Sequence, residues 1–166
     1  MKKNICTAAI IFIAAVLQSM LCPYIKIGSV MPGLLCVFAL YSALHEKNPV
    51  RNMITAAAAG AVMDCLTGRI FGLYTAVYLV ISVLACLIKD TLFKEGILIN
   101  IPVVFVLSIL GSSLFYIMNI SVLKSTSFGY SLIFVILPEA VYNTAVYTAA
   151  AFFAARRSRK KAGIMR

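Results

Sequence analysis

Six apolar runs fill almost the whole chain, at about residues 5–22, 29–46, 51–68, 70–88, 97–119 and 131–155, and only short polar stretches separate them. A helix needs about 20 residues to cross the hydrocarbon of a bilayer, with a range of roughly 17–25. Six runs of that length within 166 residues predict an all-α polytopic membrane protein, a bundle of six transmembrane helices over residues 1–155 followed by a basic cytoplasmic tail over 156–166. Composition excludes the soluble alternative. The chain is 63% apolar and 12% charged, with a mean hydropathy of +1.01, whereas soluble domains are about 45–50% apolar and about 25% charged. A globule of this size leaves too much area facing solvent to hide such a surface from water.

The third run is the weakest on hydropathy, because Ala56–Ala59 are small and Asp64 is charged. Charge decides whether it crosses, since lysine and arginine collect in cytoplasmic loops. With six spans and both ends inside, the cytoplasmic side holds Lys2, Lys3, Lys47, Arg51, Lys89, Lys94 and the six basic residues of the tail, 12 in all. The outer loops hold Lys26, Arg69 and Lys124. Were the third run not to cross, 9 of the 15 basic residues would face outward. The N-terminal run follows Lys2 and Lys3 but is followed by no small-x-small cleavage signature, so it reads as an uncleaved first span.

A net charge of +10 raises the question of nucleic acid. The basic residues, however, sit between apolar runs and in the tail, with no interleaved aromatic face to track a phosphate backbone. The tail cluster Arg156, Arg157, Arg159, Lys160 and Lys161 suits the anionic lipids of the inner leaflet instead. The five cysteines lack Cys-x-x-Cys spacing and lie in or beside apolar runs, as small packing residues do. His45 is the sole histidine, so no multi-histidine metal site is expected.

Two polar groups inside the runs point to particular structure. Gly60, Asp64, Gly68 and Gly72 recur at every fourth position, a stripe on which a second helix backbone can approach closely. This predicts a tightly packed hairpin of the third and fourth spans. Asp64 lies about one turn inside its span and needs a partner. Arg69, or the backbone amides of the Thr67–Gly72 turn, can supply one, which favours a structural clasp over ion transport. Glu139, after Pro138, lies roughly 12 Å inside the last span at 1.5 Å per residue. Asn143 is one turn further on the same face, with Tyr142 and Tyr147 nearby. These form a polar pocket, a contact to a partner's helix, or an internal hydrogen-bond cluster.

No enzyme active site is evident. Gly111-Ser112-Ser113 lacks a base within reach, since the only histidine lies in a loop and no lysine is embedded at matching depth. Paired carboxylates for proteolysis and a glycine-rich phosphate loop are absent from the sequence too. Neither a cofactor nor a metal is expected.

The order of these features resembles the bacterial rod shape-determining protein MreD family. The resemblance is carried by Pro32-Gly-Leu-Leu at the second run, the Gly60-x-x-x-Asp64-x-x-x-Gly68-x-x-x-Gly72-Leu hairpin, and the fourth run leading into Lys89-x-x-x-Phe93. One departure is Gly33, where the family often has Asp or Asn after the proline, so no contact is carried over there. The resemblance implies a non-enzymatic component of the cell-wall elongation machinery in the bacterial cytoplasmic membrane. It would bind an MreC-like protein and, through it, reach a class B penicillin-binding protein, RodA and MreB. The family is also similar in fold to the substrate-binding subunits of energy-coupling-factor transporters, six-helix bundles that hold a vitamin. A small-molecule transporter subunit is therefore the second expectation.

Overall fold

The structure, a computed structural model, describes residues 2–20, 24, 30–46, 48–68, 71–92, 97–123 and 132–164. They form six helices: α1 (Lys2–Met20), α2 (Leu34–His45), α3 (Pro49–Thr67), α4 (Leu73–Leu92), α5 (Ile97–Leu123) and α6 (Leu137–Ile164), the last preceded by a π-helical turn, Leu132–Ile136. One helix falls in each apolar run. Two of the apolar stretches, Asn100–Met118 and Ile133–Phe153, are long and apolar enough to cross a membrane. Only 22% of each is buried inside the bundle, so most of their apolar surface faces outward. Phe12, Phe71 and Phe153 are at least 70% exposed, and such an apolar exterior suits lipid rather than water.

The helix boundaries have local causes. Asn48 caps α3, its Oδ1 accepting from Val50 N at 3.1 Å and from Arg51 N at 3.4 Å. Pro49 follows at the first helical position, where its missing N–H costs nothing. At the far end Gly68 adopts the left-handed conformation, φ 61°, and donates to Asp64 O at 3.1 Å. Ahead of α6, Pro138 lacks the N–H of an ordinary α-turn, and the chain enters through the wider π turn.

Two boundaries differ from the sequence expectation. The second apolar run begins near residue 29, whereas α2 begins at Leu34 with Pro32 ahead of it. Proline disfavours helical angles at the preceding residue, Met31, and the helix starts only after Gly33, its N-cap. The last helix, in turn, does not stop near residue 155. It continues to Ile164 and carries the backbone of the basic tail.

Short as it is, α2 is the hub. Leu35, Ala39, Leu40 and Ala43 are fully buried. Around it the other helices form an arc, α1 against α3, α3 against α4, α4 against α5, and α5 against α6. The α3–α4 pair is the most extensively packed, and it runs antiparallel, from Asn52 beside Cys86 to Asp64 beside Tyr74.

Candidate functional site

The α3–α4 turn is built around the carboxylate of Asp64, which is 2% exposed. Oδ2 accepts from Gly72 N at 3.0 Å, from Thr75 N at 3.1 Å and from Thr75 Oγ1 at 2.7 Å, while Oδ1 accepts from Tyr74 N at 2.9 Å. A helix leaves its first four N–H groups without internal partners, and the N-cap side chain normally takes one. Gly72 holds the N-cap position of α4, its carbonyl accepting from Ala76 N, and has no side chain to offer. Asp64, one helix earlier, does the capping in its place. Its negative charge also sits at the positive end of the α4 dipole. Of the amides expected as donors in the 67–72 stretch, Gly72 is the one that contributes among the described residues, and Tyr74 and Thr75 add the first turn of α4. Arg69, the alternative partner, lies outside the described residues.

Gly60 makes this approach possible. A Cβ there would stand 2.5 Å from Thr75 Cα and 2.8 Å from Thr75 N, so the two backbones touch where only hydrogen fits between them. Gly68 and Gly72 contribute differently. Their φ angles of 61° and 96° are left-handed, and they turn the chain from α3 to α4. The periodic stripe thus comprises one packing glycine, one carboxylate cap and two turn glycines.

Three of the polar groups of α6 have identified partners. Asn143 is fully buried, and its Oδ1 accepts from Gly33 N, at the start of α2, at 2.9 Å. Glu139 is half-buried and takes a hydrogen bond from Ser112 of α5. Tyr147 is fully buried, receives Asn100 Nδ2 at 3.2 Å and lies beside Tyr41. Tyr142 is half-buried. Asp64 and Glu139 are both within electrostatic reach of the buried Tyr78. Ser112 thus holds the Glu139 carboxylate across the α5–α6 contact.

Three buried or half-buried amides were not singled out from sequence. Gln18 on α1 accepts through Oε1 from Leu35 N at 3.0 Å, Asn52 donates to Cys86 Sγ at 3.3 Å, and Asn100 holds Tyr147. The available signal was an isolated amide inside an apolar run. At the other end of α2, Lys89 Nζ donates to Glu46 O at 2.6 Å, and Arg51 lies 3.7 Å from the Glu46 carboxylate. A cation at a helix C-terminus is favourable. On the last turns of α6, Arg156 covers the Phe152 ring at 4.6 Å. The other basic tail residues share this helical stretch.

An outward-facing apolar surface, a hub helix and buried caps at helix ends define a helical membrane protein. The family model described as rod shape-determining protein MreD matches residues 2–154, nearly the whole chain, and the protein belongs to that family. No curated protein and no solved structure matches it. The family comprises membrane proteins of the shape-determining machinery and is not known for enzymatic activity.

Proposed function

We propose that the protein is a six-span scaffold of the cell-wall elongation machinery that binds an MreC-like partner and, through it, helps to position peptidoglycan synthases. The family match over residues 2–154 carries this reading. The interior supports it over vitamin binding. Asp64 is occupied in capping the start of α4, and the Oδ1 of Asn143 is occupied at the start of α2. Affinity purification of the full chain from growing cells tests the reading. An MreC-like protein should co-purify, and depletion of the chain should turn rods into spheres. Recovery of an ATPase module with a bound small molecule would instead establish the transporter reading.

The proposed topology has both termini in the cytoplasm and α3 crossing beside α4. Antiparallel packing of α3 along α4 supports it, as does the excess of cytoplasmic basic residues. Single cysteines at positions 26, 69 and 124, in a chain otherwise free of cysteine, should react with an impermeant maleimide from outside intact cells. A cysteine at 160 should react only after lysis. Labelling of position 69 from the cytoplasmic face alone would overturn the arrangement.

A further inference from the structure

We infer that one stripe of α6, running from Glu139 to Phe153, seats a transmembrane helix of a partner chain that carries a side-chain N–H donor at the depth of Glu139. The inference rests on the scaffold reading and names where on the bundle a partner docks. α6 turns two stripes in different directions. Ile136, Ala140, Asn143, Tyr147 and Ala151 are buried in the bundle. Glu139, Tyr142, Val146, Ala149 and Phe153 follow one another at spacings of three, four, three and four, the period by which one helix lies along another. The first three of these are half-buried, and Ala149 and Phe153 are exposed. All five fall within the apolar stretch Ile133–Phe153, of which 22% is buried.

Two features of this stripe fit a helix better than lipid. An acid inside a membrane is costly and is normally paired. A carboxylate offers about four acceptor positions, the Ser112 hydroxyl of α5 takes one at Glu139, and the side chain keeps accessible surface. Further in, the small, exposed side chain of Ala149 lets a second backbone come close. The charge selects the occupant. Two copies of this chain paired on the stripe by a two-fold axis along the membrane normal would set two Glu139 carboxylates against each other. The ammonium of a lipid head group stays at the interface, roughly 12 Å of helix from Glu139 at 1.5 Å per residue. A helix can carry a donor to that depth, because its own backbone is already hydrogen-bonded.

A photoreactive phenylalanine analogue tests the seat in the full chain in growing cells. It replaces Phe153 or, as the control, Phe12 of α1, which are 70% and 71% exposed. Position 153 should give an adduct with another membrane protein, mapped by mass spectrometry to a transmembrane helix containing lysine, arginine, asparagine or glutamine. Position 12 should not give that adduct. Glu139→Leu should lower its yield by about fivefold, the size expected for one interhelical hydrogen bond, and Glu139→Gln, which keeps an acceptor, should fall between. Ala149→Ile changes only the exposed surface. It should leave thermal unfolding in detergent unaltered yet weaken the adduct too, so it decides the matter if Glu139→Leu does not accumulate. Undiminished adduct in either folded variant, an adduct of twice the chain's mass, or adducts with lipid alone overturn the seat. Absence of a protein adduct while an MreC-like protein still co-purifies overturns the seat and leaves the scaffold reading standing. Absence of both removes the scaffold reading and the seat with it.

Discussion

Replacing Gly60 with alanine should cost the protein most of its folded population in detergent. A single methyl at this position meets Thr75 Cα at 2.5 Å, Thr75 N at 2.8 Å and Tyr74 O at 2.9 Å, all backbone atoms of α4 that cannot rotate aside. Overpacking of a core against side chains costs about 1–3 kcal/mol, occasionally more. Here the whole helix must retreat, which also lengthens the four hydrogen bonds to Asp64, so the cost should reach the top of that range or pass it. Gly111→Ala is the internal comparison. Its new methyl would meet the Ile81 Cγ2 methyl at 3.3 Å and Cδ1 at 3.6 Å, flexible side-chain ends, so the expected change is within about 1 kcal/mol. Thermal unfolding of both variants in detergent makes the measurement. Similar midpoints for the two would show that the α3–α4 approach does not govern stability.

Asp64→Ala should be nearly as damaging, for a different reason. The substitution removes the acceptor for three backbone N–H groups and one hydroxyl at the start of α4, in a place that is 2% exposed. Each buried donor left without a partner costs about 1–3 kcal/mol, and water entering the turn recovers part of that. A net loss of about 3–5 kcal/mol is expected, in the range seen when a buried charged partner is removed. Asp64→Asn keeps one carbonyl oxygen and should fall between alanine and the parent. Lys124→Ala, between the fifth and sixth apolar runs of the sequence, should leave folding and rod shape unchanged. Thermal unfolding, together with cell shape after replacement of the chromosomal copy, ranks the four proteins. Equal shape and growth for Asp64→Ala and Lys124→Ala would remove Asp64 from any part in function.

The helices were legible because lipid imposes a simple rule. Apolar length and charged breaks locate each run, and both depend on local composition. The hairpin was legible as well, since the four-residue spacing of Gly60, Asp64, Gly68 and Gly72 is itself a helical period. What the spacing does not convey is the division of labour. Gly60 needs space while Gly68 and Gly72 need positive φ, and a stripe of glycines looks alike in both cases. The α6 polar residues were read as neighbours because they share a helix face. Their partners differ: Asn143 meets the start of α2, Glu139 meets Ser112 of α5, and Tyr147 meets Asn100 of α5 and Tyr41 of α2. The role of Gln18 was beyond sequence reasoning. Its partner amide is 17 residues away on another helix, and one amide in an apolar run carries no sign of which helix end it serves. The late start of α2 does have a local signal, because Pro32-Gly33 ahead of an apolar run marks a helix that begins after them.

The brevity of α2 changes how the protein meets membranes of different thickness. Twelve residues span about 18 Å, well short of the roughly 30 Å of hydrocarbon. For a helix facing lipid, that deficit would thin the bilayer around it. In the proposed six-span topology α2 is wrapped by its neighbours along most of its surface, so matching to the acyl chains falls on the surrounding helices, which can tilt. The bundle can thus keep one internal arrangement as lipid composition changes, with its centre set by protein packing and only its perimeter tuned to the lipid.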